Sequence, residues 1–161
     1  MAQRQRQKSE YGQQLAEKQK IRSEYGLRER QFKNYFKKGK TPESIFGLLE
    51  SRLDITVFKS GLAPTRAMAR QMVSHGHVTV NERKVTIASY KVKVGDIIAI
   101  KEASKEKGIF GDFELRTKNY EPPSWISLDK KKKEAKVKAS PDMREQELPF
   151  SFQTVIEFYS R

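Results

Sequence analysis

Two histidines flank a glycine in TRAMARQMVSHGHVTVN, residues 65–81, and this spacing raises the alternatives of a metal site and a catalytic base. A protein metal site takes three or four ligands, but the chain has only two histidines and no cysteine. A catalytic histidine needs a nucleophile or a carboxylate within reach, and the sequence assembles no such partner. We therefore predict a positional role: Gly76 ends a helix in an unusual backbone conformation, and His75 and His77 lie at the rim of a binding surface.

Basic residues around this segment indicate a polyanionic partner. The formal net charge is +13 and the pI is about 9.9. Residues 1–40 hold 12 Lys/Arg against 4 Asp/Glu, residues 41–101 hold 9 against 5, and residues 102–161 hold 12 against 11. The excess is therefore concentrated toward the N-terminal end. Its size favours nucleic acid over an acidic membrane.

Several segments contribute residues that suit RNA. Arg66 and Arg70 fall one helical turn apart, and the planar fork of arginine can bind two phosphate oxygens. Tyr90, which lies among basic residues, supplies an aromatic ring of the kind on which RNA bases stack. The candidate RNA-binding residues are Arg4, Lys18, Lys20, Arg22, Arg30, Lys33, Arg52, Thr65, Arg66, Arg70, Ser74, His75, Gly76, His77, Asn81, Arg83, Lys84, Tyr90 and Lys91. The Lys run at 130–133 is less informative and is interpreted as a mobile basic loop.

Composition excludes several classes of protein. A length of 161 residues with 36% hydrophobic content allows one or two small domains and argues against a large enzyme with a deep pocket. The absence of cysteine excludes disulfides. The sequence has no apolar run of about 18 residues and its N-terminus has no apolar signal region. We therefore expect no membrane partner and no cofactor.

The elements that must position these residues can be placed from their caps and periodicity. Residues 9–38 favour one or two helices with a thin apolar stripe, and Gly12 and Gly26 are expected at turns or helix ends. Thr41 caps a helix over ESIFGLLESRLDITVFKSG that stops near Gly61, and Thr65 caps the next helix.

After Gly76 the period changes to two, which predicts three or more short antiparallel strands up to Ile100. A short helix, a strand at WISLD and an apolar C-terminus follow, and we expect the C-terminus to dock on the N-terminal helices. The predicted fold class is α+β, a helical lobe plus an inserted module of two helices and a short antiparallel sheet. The predicted domains are a helical lobe at 1–40 completed by 141–161, an RNA-binding module at 41–101, and its extension at 102–140.

Asp54 lies in SRLDITVFKSGL, which resembles the motif that carries the nucleophilic aspartate of pseudouridine synthases. In those enzymes the motif follows an RNA-binding module within a separate catalytic domain, whereas here it falls inside the first predicted helix of the module. Ser51 also replaces the motif's glycine, and too few residues follow to build a catalytic domain. We therefore interpret Asp54 as an exposed helical residue near Arg52 or Lys59, and expect no catalytic residue.

The segment from LLESRLDITVFKSGLAPTRAMARQMVSHGHVTVN to KVKVGDIIAI resembles the RNA-binding module of the small-subunit ribosomal protein S-four family. SEYGQQLAEKQKIRSEYGLRERQFKNYF resembles the segment that precedes the module in that family, and PPSWISLD and VIEFYSR resemble its C-terminal part. The resemblance runs from about residue 9 to the end. It identifies the chain as a member of the bacterial-type S-four family.

Membership implies a function and several partners. The family binds a multi-helix junction of small-subunit ribosomal RNA, nucleates subunit assembly, supports translational accuracy, contacts the S-five ribosomal protein family and lies near the messenger RNA entry path. The implied location is the ribosome, cytoplasmic or organellar.

Two departures from the family pattern affect this interpretation. The family usually has a further N-terminal segment of about forty residues, which carries a metal-binding Cys cluster in some members, and this sequence begins where that segment would end. Either the chain is naturally short, which Met1 favours, or the segment has been removed. A turn that often reads Asn-Gly is Asn81-Glu82 here, so we expect a turn other than type I′.

Two alternatives remain open at this point. A stand-alone module acting on ribosomal subunits would lack EKQKIRSEYGLRERQF, which this chain contains. An RNA pseudouridine synthase would use Asp54 and would isomerise uridine.

Overall fold

A computed structural model of the chain describes residues 9–105 and 108–161. The chain folds into two compact units. We call Met1–Phe46 with Glu147–Arg161 the helical unit, and Gly47–Gln146 the central unit. Residues 102–146 therefore belong with the segment that was predicted as the RNA-binding module. In the part of the chain that the structure describes, no helix is long and apolar enough to cross a membrane.

The helical unit is built from α1 (Glu10–Tyr25), α2 (Glu29–Lys38) and α7 (Phe152–Tyr159), with the first part of α3 (Pro42–Glu50). Ser9 caps α1 by accepting a hydrogen bond from the Gly12 backbone N–H, and Gly26 ends it with a φ of 63°. The prediction for Gly26 is confirmed, but Gly12 lies inside α1 rather than at a turn. Its core comprises Ile21, Tyr25, Leu27, Phe32, Ile45, Phe46, Phe152 and Val155, all buried.

The C-terminal helix docks as predicted. α7 packs on α1 and α2, and the Tyr159 hydroxyl donates a hydrogen bond of 2.9 Å to Glu29. Lys18 forms an ion pair of 2.8 Å with the same carboxylate. Burial alone would raise the pKa of Glu29, but the hydrogen bonds from Lys18 and Tyr159, together with the charges of Lys18 and Arg22, hold the pKa below its usual range. Burial and the Glu29 contact raise the pKa of Tyr159, so its hydroxyl stays a donor.

The central unit begins with a helix break that the sequence did not indicate. The predicted single helix is two, α3 and α4 (Leu53–Ser60), because Arg52 between them is extended, with φ −65° and ψ 141°. Backbone bonds from a distant loop replace the helical ones here: the Val92 N–H donates to Ser51 O and the Leu53 N–H donates to Tyr90 O, both at 2.8 Å. The predicted end of a helix at Gly61 and the predicted N-cap of the next helix at Thr65 are both confirmed.

One antiparallel sheet of five strands completes the central unit. Its strands are β1 (Val78–Val80), β2 (Arg83–Lys84), β3 (Ile97–Ile100), β4 (Ile126–Asp129) and β5 (Glu134–Val137), in the order β2-β1-β3-β5-β4. Alternate residues form its buried face, since Val80 pairs with Ile98 and Ile98 with Ala135. The helix α5 (Arg66–Ser74) precedes β1, and the short helix α6 (Phe113–Thr117) lies between β3 and β4. The predicted α+β class is confirmed.

The turn between β1 and β2 differs from the prediction. Asn81 and Glu82 both have positive φ, 51° and 70°, as a type I′ turn requires. The expectation of another turn is therefore wrong. Val80 pairs directly with Arg83, so only two residues reverse the chain. The Asn81 side chain also donates to Asp96 and accepts from the Ile97 N–H, both at 2.9 Å, which offsets the strain.

Candidate nucleic-acid interface

The helix α5 presents the two arginines that the sequence singled out. The Thr65 hydroxyl caps it by accepting a 3.0 Å hydrogen bond from the Met68 N–H. The Arg66 guanidinium carbon lies 4.6 Å from the centroid of the Phe58 ring. Arg70 Nε lies 3.5 Å from Asp54 Oδ2, while the Arg70 side chain remains 41% exposed. Both arginines are therefore held against α4.

The end of α5 explains the histidine pair. Gly76 has a φ of 79°, its N–H bonds to Val73 O, and the His77 N–H bonds to Met72 O. This is the Schellman pattern, in which a left-handed residue satisfies the last helical carbonyls. His77 Nδ1 lies 2.7 Å from the Ser104 hydroxyl, whereas His75 is exposed. Among residues 9–105 and 108–161, no cluster of three or more His, Cys, Asp or Glu residues is arranged to hold a metal ion.

Replacing Gly76 by valine is expected to lower the melting temperature, because a β-branched residue resists positive φ at a cost of about 1–3 kcal/mol. A Cβ at this position would also meet the Lys84 side chain at 3.2 Å. Thermal unfolding measures the effect. The matched control is Gly47→Ala, since Gly47 lies in α3 with open space around a Cβ. An unchanged melting temperature for Gly76→Val would contradict the role of Gly76.

The β1–β2 hairpin brings further cations to the end of α5. Arg83 and Lys84 are exposed, and the Lys84 side chain passes over Gly76. Asn81 is exposed too, but its amide is engaged with Asp96 and the Ile97 backbone. Its side chain therefore fixes the hairpin, and the cations beside it are the better candidates for RNA contact.

A loop at residues 88–92 adds an aromatic ring to this surface. Tyr90 and Lys91 are exposed, and the loop backbone bonds to the start of α4, with the Asp54 N–H donating to Ala88 O at 3.2 Å. Thr65 and Ser74 are also exposed, and Ser74 donates back to Gln71 O. Contacts thus link the predicted segments of the central unit: Gly76 to the hairpin, and α4 to both Arg70 and Tyr90.

Two residues at the start of α4 are buried: this corrects the expected exposure of Asp54, while the RNA contact of Arg52 stays a prediction that its burial disfavours. Arg52 was predicted to bind RNA, but it is only 4% exposed and donates to both oxygens of Asp54 at 3.0 and 3.1 Å. Asp54 was predicted to be exposed, but it is only 1% exposed. Burial follows from the helix break, which turns both side chains inward, and from their mutual neutralisation. The Asp54 carboxylate is consequently covered by neighbouring atoms.

The described candidates of the helical unit fall into three groups by exposure. Lys18 is only 7% exposed and pairs with Glu29, so its RNA contact stays a prediction that its burial disfavours. Arg22 is half-buried and donates to Gln19 Oε1 and Leu27 O. The exposed candidates are Lys20, Arg30 and Lys33, of which Lys20 donates to Pro149 O. Arg4 lies outside the described residues.

Sequence reasoning missed Phe58 as a support for Arg66. Asp54 and Phe58 are four residues apart on α4, and Arg66 and Arg70 are four residues apart on α5. This equal spacing could have indicated that the two pairs face each other. The Lys run at 130–133 is also better defined than expected. It forms the β4–β5 turn, where Asp129 Oδ1 accepts bonds of 3.1 Å from the backbones of Lys131 and Lys132.

Comparison with known proteins assigns the family. Residues 1–54 match the family described as ribosomal protein S4/S9 N-terminal domain, and residues 51–98 match the S4 domain. The small ribosomal subunit protein uS4 of Herpetosiphon aurantiacus is 46% identical over 98% of this chain and 78% of its own length. The chain belongs to the uS4 family. The uS4 protein of Chromobacterium violaceum is 45% identical over 95% of this chain and 77% of its own, and that of Chlorobium phaeovibrioides is 44% identical over 95% and 78%.

Membership in the uS4 family confirms the resemblance found in the sequence. The S4 domain match contains α4, α5, β1 and β2, and it ends inside β3. It therefore includes Arg70 and its ion-pair partner Asp54, the β1–β2 hairpin and the 88–92 loop. The match at residues 1–54 contains α1, α2 and α3, so the helical part that precedes the S4 domain is also a family feature.

Replacing Arg66 and Arg70 together by alanine is expected to weaken ribosomal RNA binding by a few kcal/mol, since each charge-assisted contact contributes roughly 1–3 kcal/mol. Filter binding at moderate salt measures this loss. The matched control replaces Lys131 and Lys132, which removes the same charge from the exposed β4–β5 turn. If the arginine variant binds as tightly as the parent, α5 is not part of the interface.

Proposed function

We propose that the chain is a structural constituent of the small ribosomal subunit and binds small-subunit ribosomal RNA. The observation that carries this proposal is the 46% identity over nearly the whole chain to a protein named small ribosomal subunit protein uS4. The relation covers both the helical part that precedes the S4 domain and the S4 domain itself. This extent favours a ribosomal protein over a stand-alone module.

The central unit supplies a surface suited to RNA. Arg66, Arg70, Arg83, Lys84 and Lys91 offer cations at or near the surface, and the phosphate backbone is the dominant source of affinity in such complexes. Tyr90 offers an aromatic face on which an unpaired base can stack. The cations therefore suit contacts with the RNA phosphate backbone, which position the complex, and Tyr90 suits a contact with a base.

The finer assignments follow the family and are part of the proposal. The chain would bind the RNA early and nucleate subunit assembly, support translational accuracy, contact a neighbour of the S-five family and lie near the messenger RNA entry path. Its location would be the ribosome, in the cytoplasm of a bacterium or in an organelle. The module at 41–101, its extension at 102–140 and the lobe at 1–40 with 141–161 are the proposed domains.

An enzymatic role for Asp54 is disfavoured by its surroundings. The carboxylate is 1% exposed and accepts hydrogen bonds from Arg52 and from the Ile55 N–H. A nucleophile must approach its substrate atom closely, and this oxygen pair is covered. A tritium-release assay on uridine-labelled RNA is expected to give no release above background.

Competition between RNAs tests the proposed function. Labelled small-subunit ribosomal RNA of Herpetosiphon aurantiacus is challenged with its large-subunit ribosomal RNA at moderate salt. We expect the small-subunit RNA to bind on the order of a hundredfold more tightly, since both RNAs share the sequence-independent phosphate term and only one carries the specific site. Equal competition by the two RNAs would contradict the proposal.

A further inference from the structure

One face of α4 holds both arginines of α5. Asp54 and Phe58 lie four residues apart on α4, and Arg66 and Arg70 lie four residues apart on α5, so each pair occupies one side of its helix. Phe58 stacks under the Arg66 guanidinium at 4.6 Å, and Asp54 Oδ2 lies 3.5 Å from Arg70 Nε. Two contacts therefore join the helices at matching intervals.

The Asp54 carboxylate is itself fixed. Arg52 donates to both of its oxygens, through Nε at 3.0 Å and Nη2 at 3.1 Å, and the Ile55 N–H donates to Oδ1 at 2.8 Å. A buried, bidentate ion pair leaves the acceptor little freedom to move. Arg70 is therefore anchored to a rigid group, although its own side chain is 41% exposed.

The same short segment anchors the loop that carries Tyr90. The Leu53 N–H donates to Tyr90 O, the Asp54 N–H donates to Ala88 O, and the Val92 N–H donates to Ser51 O. Residues 51–54 thus connect α5 to the 88–92 loop. A displacement of this segment would be expected to move Arg70 and Tyr90 together.

We propose that Asp54 is a positioning residue for RNA binding, acting through Arg70. A negative charge beneath a surface that meets a polyanion opposes general electrostatic attraction. If Asp54 favours binding, it must therefore do so by holding the Arg70 guanidinium in its binding geometry before RNA arrives. A side chain that is already held loses less conformational entropy when the complex forms. This inference rests on the proposed function and adds a role for an acidic residue to it.

The substitution Asp54→Asn tests this role, because it keeps the shape of the side chain while raising the net charge by one. The probes are the small-subunit ribosomal RNA of Herpetosiphon aurantiacus and a short RNA duplex of arbitrary sequence. We expect binding to the ribosomal RNA to weaken by about tenfold, the effect of one lost charge-assisted contact, and binding to the duplex to stay unchanged or tighten. Tighter binding to both RNAs would overturn the inference.

The matched control is Glu121→Gln, which removes the same charge from an exposed position of the central unit. It is expected to leave ribosomal RNA binding unchanged or slightly tighter. A tenfold loss for Glu121→Gln as well would overturn the inference, because the loss would then not be specific to the residue that contacts Arg70.

A double-mutant cycle separates positioning from general structure. In the Arg70→Gln background, Asp54→Asn is expected to change ribosomal RNA affinity by less than about twofold, because residues in one network are not additive. If the two losses multiply, Asp54 acts independently of Arg70 and the inference fails. If the parent does not distinguish the ribosomal RNA from the duplex, the proposed function fails and the positioning role falls with it.

A measurement on the unsubstituted chain covers the case in which Asp54→Asn does not fold, since that change leaves Arg52 buried without its carboxylate. Arginine side-chain NMR can follow the Nε–H of Arg70, identified by its absence in Arg70→Lys. We expect this proton to exchange slowly with solvent in the free protein. We also expect its NMR signal to keep its chemical shift when RNA is added. Fast exchange in the free protein would show that Arg70 is not held, and would overturn the inference.

Discussion

Removal of residues 152–161 is expected to unfold the helical unit while the central unit stays folded. The deletion takes away α7, whose Phe152 and Val155 are buried. Loss of one large buried side chain costs about 3–5 kcal/mol, and the deletion removes more than one from a unit that is small to begin with. The remaining apolar faces of α1 and α2 would then be exposed to water.

The aromatic contacts of α7 join it to both α1 and α2. Tyr159 lies 5.3 Å from Phe36 and Phe158 lies 5.7 Å from Tyr11, measured between ring centroids. At the chain end, Arg161 Nε donates a 2.7 Å hydrogen bond to Gln14 Oε1. Each contact joins α7 or the chain end to α1 or α2. The helical unit therefore loses the central part of its packing in one step.

Hydrogen exchange measured along the chain distinguishes the outcomes. We expect amides of residues 9–38 to lose protection, because α1 and α2 would lose their partner, and amides of residues 53–100 to keep it. A point variant, Phe152→Ala, should show the same pattern with a smaller effect, and Gln153→Ala serves as the control because Gln153 is exposed on the same helix. Loss of protection in residues 53–100 instead would contradict the docking of α7.

Affinity for small-subunit ribosomal RNA is expected to fall by about ten-thousandfold from low to moderate salt if roughly eight phosphates are contacted. The motivation is the net charge of +13 together with the exposed cations around α5. Each phosphate contact releases a bound counterion, so the logarithm of affinity falls linearly with the logarithm of salt concentration. Fluorescence anisotropy over a salt series measures the slope.

Single substitutions make the salt test more specific. Arg83→Ala removes one exposed cation from the hairpin and is expected to reduce the slope by about one. The control Glu121→Gln changes the net charge by one in the opposite direction without removing a cation. A curve that is flat in salt would show that phosphate contacts do not dominate the binding.

Local signals in the sequence were sufficient for the elements that carry their own caps. Thr65 and Gly76 bracket α5, and both act within a few residues of themselves, so the prediction of this helix and its hand-over to β1 was accurate. The docking of α7 could be predicted because the apolar residues near the C-terminus need a surface on which to be buried. In each case the information lay in neighbouring residues.

Features that depend on distant residues were not predictable in this way. The break between α3 and α4 is made by backbone bonds from residues 90 and 92, about forty positions away. The burial of Asp54 depends on that break. The type I′ turn at Asn81 and Glu82 is supported by Asp96 and Ile97. Local propensity favours a different conformation at each of these sites, and tertiary contacts override that preference.

Sedimentation through a sucrose gradient tests the central claim most directly. The tagged chain is expressed in its host, and a lysate is separated under conditions that keep ribosomal subunits apart. We predict that the chain travels with the small subunit in an equimolar ratio to its ribosomal RNA, and that it is depleted from the large-subunit peak. A chain that remains at the top of the gradient, or that is present far below an equimolar ratio, would contradict its role as a constituent of the small subunit.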